Sequence, residues 1–541
     1  MHSFFLTLIL CAVSPDAAPA DAPPDVAPPD VAVVCPEGLR EAFTPWMAYR
    51  QAQGYRPVFL SSDGSAEQIR EEIRQLARQS PLRGVVLVGD VPLESVSDPD
   101  QRRRSTPTHY VPARVTIQWG SEPWIATDNP YGDLTGDGVP EVPVGRLSVR
   151  DADQLRTLVH KILDYETSTD HGTWHRQIHL VAGVGGFGRL VDSVLEMVTR
   201  RFLTDGIPDN FETTMTHANW QSPYCPDPRR FRDVVLDRMN EGGLFWVYIG
   251  HGHQQRLDAL RVPDAAFPIL SVSDVDRMRV ERGRPIALML ACYTGAFDQP
   301  QDCLAEVMLR HPGGPVAVIG GSRVTLPYAM AVLSLGLMDQ VFRYQAPTLG
   351  QAFCRAKQSM AQVQPQDDPN RQLLDALAAA ISPMSDRLAD ERHEHLALFN
   401  LLGDPLLTIR RPSRLLLDVP DQIAAGQTLT VHGRSEISGT ATVEIVSRRD
   451  RLKHDLPARR QFHWCDEFLR SMDTTYHQAN DRVWARESYQ VASDDFALCV
   501  DVPLQTRGPC YVRVWIENAN GSAEGATRIF VHRPSETAST E

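Results

Sequence analysis

From about residue 33 to residue 410, segments with a helical hydrophobic period alternate with short, continuous apolar runs. Ser65 and Gln68 have the spacing of a capping box at the start of one helical segment, and Asp151 stands as an N-cap before another. The apolar runs that predict buried strands are 85–88, 178–182, 244–249, 286–291 and 316–319. Continuous apolar strands separated by helices indicate an α/β fold with a parallel sheet covered on both faces.

After Pro412 the pattern changes to short β-rich runs between Gly, Pro and Asn turns, and the helical period is largely lost. The runs are 415–419, 428–432, 440–446, 496–502 and 511–516. This pattern predicts an appended β-sandwich at 412–535. The preceding α/β part is divided into an N-terminal subdomain at 33–125 and a second subdomain at 126–411.

The N-terminus carries an apolar run, Phe4–Val13, that is too short for a membrane span, which needs about 20 residues. Followed by Ala18-Pro19-Ala20, it predicts a signal peptide at 1–20 and therefore a secreted, periplasmic or cell-surface protein. Residues 21–32, rich in Ala, Pro and Asp, predict an extended linker. No other window is apolar and long enough for a transmembrane segment.

The net charge and the spacing of the cysteines argue against two kinds of binding site. With 54 Lys+Arg against 68 Asp+Glu, the net charge of −14 argues against a nucleic-acid partner, which would need a dense basic surface. Eight cysteines follow Cys11, and none has paired metal-ligand spacing, so a cysteine zinc site is not expected. Cys499 and Cys510 flank a short turn and could form a disulfide.

Two predicted strands end in reactive side chains. The run 244–249 leads into Gly250-His251-Gly252-His253, and the run 286–291 leads directly into Cys292. If these strands are neighbours, His251 can activate the Cys292 thiol and later protonate a leaving amine, and the backbone N–H groups of Gly252 and Cys292 can hold an oxyanion. The residues alone leave two alternatives open: Cys292 as a small buried hydrophobe, and His253 as the base.

Five segments with these residues resemble the gingipain family of cysteine peptidases: 128–147, 247–252, 290–298, 303–322 and 398–409. The resemblance implies a caspase-like fold followed by an immunoglobulin-like module. It implies an endopeptidase acting on protein or peptide substrates, with His251 as general base and acid, Cys292 as nucleophile, and no cofactor needed for the chemistry.

The sequence departs from the family near the substrate pocket. Where the family has an acid that orients the histidine, near Val184, this chain has no carboxylate. Asp192 matches the family's acid at the base of a pocket for basic side chains only if a gap is introduced. Arg323 stands where pocket-wall residues are expected, and its charge would suit an acidic substrate side chain. Specificity for Arg or Lys is therefore not carried over.

A candidate calcium loop follows the spacing of oxygen ligands at positions 1, 3, 5, 7 and 9, with Gly at position 6. The ligands would be Asp133, Thr135, Asp137, the carbonyl of Val139, and Glu141. Val144 occupies position 12, where a bidentate Glu is expected. The alternative is an Asp-Gly turn with solvated carboxylates. Gingipain-like enzymes bind structural calcium, so the resemblance favours a calcium site.

Two further functions remain as alternatives. A degenerate member of the family would act as a cell-surface or extracellular binding module, and the absent carboxylate near Val184 motivates this hypothesis. The glycine-rich segment 183–188 follows a strand and could belong to a nucleotide-binding protein. A single glycine-rich loop is weak support, and the acid expected after the next strand is misplaced.

Overall fold

A computed structural model describes residues 27–92, 103–184, 206–362 and 368–533. The helices are α1 Arg40–Ala52, α2 Ala66–Gln79, α3 Ala152–Thr167, α4 Phe231–Asn240, α5 Leu304–Arg310, α6 Pro327–Met338, α7 Leu349–Ala361, α8 Pro369–Ile381, α9 Leu388–Leu398 and α10 Asp466–Asn480. The strands are β1 Val31–Val34, β2 Pro57–Leu60, β3 Gly84–Val88, β4 His109–Pro112, β5 Trp124–Thr127, β6 Val144–Leu147, β7 Gln177–Ala182, β8 Glu212–His217, β9 Phe245–Ile249, β10 Gly252–His253, β11 Arg256–Leu257, β12 Ala259–Val262, β13 Ala265–Pro268, β14 Ile286–Leu290, β15 Ala317–Gly321, β16 Phe399–Leu402, β17 Ser413–Arg414, β18 Leu417–Asp418, β19 Gln422–Ala424, β20 Thr428–Arg434, β21 Gly439–Ser447, β22 Val483–Val491, β23 Asp495–Asp501, β24 Gly508–Asn518 and β25 Gly521–His532.

The α/β part is built on one continuous sheet with the strand order β2-β1-β3-β6-β16-β15-β14-β9-β7-β8. Strands β2 to β16 in this order are mutually parallel, and so are strands β15 to β8. The two halves meet at the antiparallel pair β15–β16. The α/β prediction is confirmed, but the sheet is mixed because β16 follows the strand direction of the first half, where it pairs with β6.

The predicted helix starts are present. Ser65 accepts a hydrogen bond from the Gln68 amide, and the Gln68 side chain accepts one from the Ser65 amide, which completes the capping box of α2. Asp151 caps α3 by accepting from the amides of Asp153 and Gln154. Both helices bury their apolar face against the sheet, Ile69 and Ile73 on α2 among them.

The C-terminal region forms two β-sheets around a core of its own. One sheet has the order β17-β25-β24-β21-β22, with β19 also paired to β25, and the other has the order β18-β20-β23. Burial alternates along β20 and β23, as expected where one face of a sheet is covered and the other is solvated. The β-rich character predicted after Pro412 is confirmed.

Helix α10 lies between β21 and β22 in the chain, yet it packs against the α/β part. Leu469 and Met472 join the α/β core, and the Tyr476 hydroxyl lies 3.0 Å from Thr216 Oγ1 on β8. The Asn480 side chain accepts from the Met215 amide at 2.8 Å and donates to the Met215 carbonyl at 3.1 Å. These contacts cover the outer edge of the ten-stranded sheet.

Several sequence predictions concern the termini and the cysteines. The predicted signal peptide at 1–20 lies outside the described residues, and β1 begins at Val31, within the stretch predicted as linker. The described cysteines are all free. The disulfide between Cys499 and Cys510 is not formed, because Cys499 is exposed on β23 whereas Cys510 is buried on β24. None of the helices in the described ranges is long and apolar enough to cross a bilayer.

Candidate active site

The two strands that end in reactive side chains are neighbours. Strands β9 and β14 pair in parallel, with Ile249 opposite Leu290. Both are buried along almost their whole length, so their carboxyl ends are held firmly at one edge of the sheet. His251 lies two residues after Ile249, and Cys292 lies two residues after Leu290. Both side chains are partly buried. The structure therefore brings the two predicted residues to the same edge of the sheet.

Gly252 joins the two segments by direct contact. A Cβ built on Gly252 would lie 2.6 Å from the Cys292 carbonyl oxygen and 2.8 Å from the Ala291 Cβ. A side chain of any size would push the segments apart, so glycine is required here by close backbone approach. The glycine that follows His251 thus places the histidine backbone against the cysteine backbone.

The backbone around His251 is fixed by two hydrogen bonds to its carbonyl oxygen. The Tyr248 hydroxyl donates at 2.7 Å and the Asp258 amide at 3.2 Å. Burial raises the pKa of Tyr248 well above its usual range, so the hydroxyl keeps its proton and remains a donor. His253 is exposed and lies in β10, paired with Arg256 of β11.

The amides of Gly252 and Cys292 were named from the sequence as oxyanion donors. Gly252 lies opposite Leu257 in the β10–β11 pair. Because the Asp258 amide donates to the His251 carbonyl, Gly252 and Leu257 form a non-hydrogen-bonded pair. The Gly252 N–H is therefore directed away from β11. Within the described residues, the Cys292 N–H has no acceptor either. The two amides named from the sequence as oxyanion donors are thus not used by the fold itself.

The Cys292 thiol lies against the segment that follows β15. The Thr325 amide donates to Sγ at 3.3 Å, and Thr325 Oγ1 lies 3.6 Å from Sγ. A backbone N–H directed at sulfur stabilises negative charge on it. The next residue, Tyr293, has a φ of 59°, a left-handed conformation that is costly for a side chain of this size. Its amide donates to the Arg323 carbonyl at 3.1 Å.

Helix α9 supports this segment through two residues that the sequence analysis missed. The Leu326 amide donates to His395 Nε2 at 2.8 Å, and the Ala329 amide donates to Glu391 Oε1 at 3.1 Å. Burial lowers the pKa of His395 to about 4 and raises that of Glu391 to about 7. The neutral imidazole can therefore accept from Leu326, next to Thr325. The one signal in the sequence was the i, i+4 spacing of Glu391 and His395 on one helical face.

Arg323 lies beside the site, but its charge is already compensated. Its guanidinium makes a bidentate pair with the Asp298 carboxylate, with hydrogen bonds of 2.8 and 2.6 Å, and both side chains are buried. Its Nε donates to the Trp124 carbonyl at 2.9 Å. Arg323 thus ties the segment after β15 to the segment after Cys292. Asp192, the other predicted substrate-binding residue, lies outside the described residues.

The predicted calcium loop brings its acids together. Oxygens of Asp133, Asp137 and Glu141 lie within 4.8 Å of one another. Asp133, however, accepts from the amides of Gly136 and Gly138 and pairs with Arg70 at 3.1 Å.

The other acids of the loop are also engaged. Glu141 accepts from the Leu134 amide and from the Thr135 hydroxyl, both at 2.7 Å, and Asp137 accepts from the Val139 amide at 2.9 Å. These partners and the guanidinium at Asp133 favour the alternative of an Asp-Gly turn whose carboxylates are engaged within the protein.

Comparisons with known proteins bear on the whole α/β part. The sequence profile of peptidase family C25 matches residues 25–410. Lys-gingipain of Porphyromonas gingivalis is 22% identical over 296 residues, which is 54% of this chain and 15% of that protein. This chain therefore spans only a small part of the length of the curated relatives it matches.

Solved structures of gingipains are similar to this chain in fold. The Arg-specific cysteine proteinase gingipain R has a TM-score of 0.51 at 15% identity, covering 94% of this chain and 99% of that chain. The complex of the Porphyromonas gingivalis RgpB pro- and mature domains has a TM-score of 0.50 at 15% identity, covering 93% of this chain and 100% of that chain. The likeness confirms the predicted caspase-like fold. Since the family profile covers most of the described α/β part, the chain belongs to peptidase family C25.

Proposed function

We propose that the chain is a cysteine endopeptidase in which Cys292 is the nucleophile and His251 the general base and acid. The observation that carries this proposal is the contact at Gly252, whose absent side chain lets the histidine and cysteine segments meet at one sheet edge. The Thr325 amide, which donates to Sγ at 3.3 Å, adds support, because it fixes the position of the thiol at this edge.

The reaction follows from these positions. His251 takes the proton of the Cys292 thiol, and the sulfur attacks the carbonyl carbon of the peptide bond. The carbonyl electrons move to oxygen, which the amides of Gly252 and Cys292 stabilise. His251 then donates its proton to the amide nitrogen as the C–N bond breaks. A water molecule, deprotonated by His251, attacks the thioester, releases the carboxylic acid product and restores the dyad. No cofactor takes part in these steps.

Substrate preference at the cleaved bond is left open by this proposal. Arg323 is assigned a positioning role, because its charge is neutralised by Asp298 and is not available to an acidic substrate side chain. Asp192 remains a predicted substrate contact. Calcium at the 133–141 loop remains a prediction of the sequence and is not part of the mechanism.

Export is the second element of the proposal. The apolar run 4–13 followed by Ala18-Pro19-Ala20 supports a signal peptide at 1–20 and hence a secreted, periplasmic or cell-surface enzyme. An immunoglobulin-like identity for the C-terminal sheets likewise remains a prediction. N-terminal sequencing of the exported chain tests the cleavage site, and retention of residues 1–20 would contradict it.

A binding protein without peptidase activity is the second candidate function. It is favoured by one departure of the sequence from the family: residues 181–184, at the end of β7, contain no carboxylate at the place where the family has one. In that case, Cys292 would react with iodoacetamide no faster than Cys465, which is exposed and far along the chain in the C-terminal region.

The deciding experiment is digestion of a proteome-derived peptide library by the wild-type chain and by Cys292→Ala, His251→Ala and His253→Ala. We expect no cleavage with Cys292→Ala and a loss of about 10²–10⁴-fold with His251→Ala. His253→Ala removes an exposed neighbour of the same type and is expected to retain activity. Cleavage that persists without Cys292 would refute the proposal.

A further inference from the structure

One hairpin concentrates exposed apolar side chains. Of the ten large hydrophobic side chains that the described residues leave exposed, four lie between residues 110 and 124. They are Tyr110 at 48%, Ile117 at 43%, Trp119 at 50% and Trp124 at 54% exposure. We call residues 109–127, comprising β4, β5 and their connection, the aromatic hairpin.

The aromatic hairpin is anchored to the molecule through β5, where Ala126 is fully buried in the α/β core. Ile125, opposite Val111, is fully buried in the α/β core. Tyr110 pairs with Ala126 and Pro112 pairs with Trp124, so the exposed Tyr110 and Trp124 are diagonal neighbours on one face of the hairpin, and Trp119 lies in the connection. A group of exposed apolar side chains on one structural unit marks a binding site more often than isolated hydrophobic residues do.

The hairpin is continuous with the candidate active site. The Tyr293 hydroxyl, from the residue after Cys292, donates to Glu122 Oε2 at 2.9 Å. Arg323 Nε donates to the Trp124 carbonyl at 2.9 Å, and the Ser322 hydroxyl donates to the Ala126 carbonyl at 2.8 Å. The hairpin therefore contacts both segments that surround the thiol, the one after β14 and the one after β15.

We propose that the exposed face of the aromatic hairpin binds an aromatic or large aliphatic side chain of the substrate polypeptide, at a fixed distance from the bond being cleaved. This inference rests on the proposed peptidase function. A polypeptide with its scissile carbonyl at Cys292 passes along a wall to which Tyr293 and Arg323 are hydrogen-bonded. An apolar side chain a few residues away would then meet the rings of Trp119 and Trp124 and leave water.

The test is a peptide-library digestion by the wild-type chain, by the double variant Trp119→Ser and Trp124→Ser, and by Tyr344→Ser. Tyr344 is equally exposed, at 57%, and lies away from the hairpin in the segment after α6. We expect wild-type cleavage sites to be enriched in aromatic or large aliphatic residues at one fixed offset. The double variant should lose this enrichment while keeping the preference at the cleaved bond itself, and Tyr344→Ser should retain both.

A single peptide taken from the wild-type profile gives the magnitude. The double variant should show about a tenfold lower kcat/KM, arising mainly from KM, and truncating the peptide before the apolar residue should abolish the difference. The inference is overturned if the enrichment is absent in the wild type or survives in the double variant. It is also overturned if the substitutions dissociate a dimer without changing selectivity, since the face would then bind a second copy. Absence of all Cys292-dependent cleavage would instead defeat the proposed function, and this inference with it.

Discussion

Gly252→Ala tests the contact on which the proposed active site depends. The new Cβ would lie 2.6 Å from the Cys292 carbonyl oxygen, 2.8 Å from the Ala291 Cβ and 2.9 Å from the Thr294 Cγ2. Since ordinary contacts begin at 3.4 Å, the Cys292 oxygen must move by about 0.8 Å, the difference between 3.4 and 2.6 Å. Buried strands hold both segments at their base, so the displacement falls on the loops that carry His251 and Cys292.

Gly252→Ala is expected to lower activity strongly while the protein remains folded. A misplacement near 1 Å costs about 100-fold in rate, whereas the strain of one added methyl group costs about 1–3 kcal/mol of unfolding free energy. We therefore expect kcat/KM for a peptide cleaved by the wild type to fall about 100-fold, with the variant still folded.

The assay combines peptide turnover, the rate of Cys292 alkylation by iodoacetamide, and thermal denaturation. Gly521→Ala is the matched control, because a Cβ on Gly521 meets no heavy atom within 4 Å. It should leave turnover and alkylation unchanged. If folded Gly252→Ala retained kcat/KM within about twofold of wild type, the two segments would not be in the contact described, and the reasoning from close approach would fail.

Three further predictions concern stability. Asp404→Ala removes one of two carboxylates that hold the buried Arg50 guanidinium, at 2.5 Å, and leaves Glu166 at 2.8 Å as its partner. The buried Trp46 Nε1 donor loses its acceptor as well, so unfolding in urea should show a loss of about 1–3 kcal/mol; an unchanged midpoint would contradict these contacts. Burial raises the pKa of the Glu524 carboxyl from 4.5 to about 7. The folded state therefore favours the protonated carboxyl, and the protein loses stability as the pH rises from 4.5 through 7. Between pH 5 and pH 8, the free energy of unfolding of Glu524→Gln should therefore fall by about 2–3 kcal/mol less than that of the wild type. If urea denaturation gave the same dependence of this free energy on pH for both proteins, the prediction would be refuted. Because Arg70 and backbone amides already occupy the acids of the 133–141 loop, EGTA should leave Tm unchanged; a decrease that calcium reverses would restore the calcium prediction.

The sequence was sufficient for the parts of the fold that local patterns determine. Continuous apolar runs located β9 and β14, and capping residues located the start of α2 and α3. The proposed dyad followed from position alone, since residues directly after two buried parallel strands reach the same sheet edge. The resemblance of the surrounding segments to gingipains then raised this from a chemical possibility to a specific assignment.

The sequence does not predict features that depend on contacts between residues far apart in the chain. The role of His395 requires that α9 lie against the start of α6, and the separation of 69 residues between His395 and Leu326 carries no local signal. Arg323 was read as a free charge because its partner, Asp298, is identified only by the packing of two segments. The sequence pattern does not predict helix α10, although Leu469, Met472 and Tyr476 repeat at helical spacing, because β-rich runs flank it on both sides.

The two hydrogen bonds between the Asn480 side chain and the Met215 backbone limit where the chain can be shortened. Residue 411 looks like a natural place to cut, yet a chain ending there loses α10 and leaves the amide and carbonyl of Met215 open on a bare strand edge. Such an edge recruits strands from other molecules, so the shortened protein should form insoluble aggregates. We therefore expect the α/β part to depend on α10 for solubility, and the α/β part and the C-terminal region to unfold in a single transition.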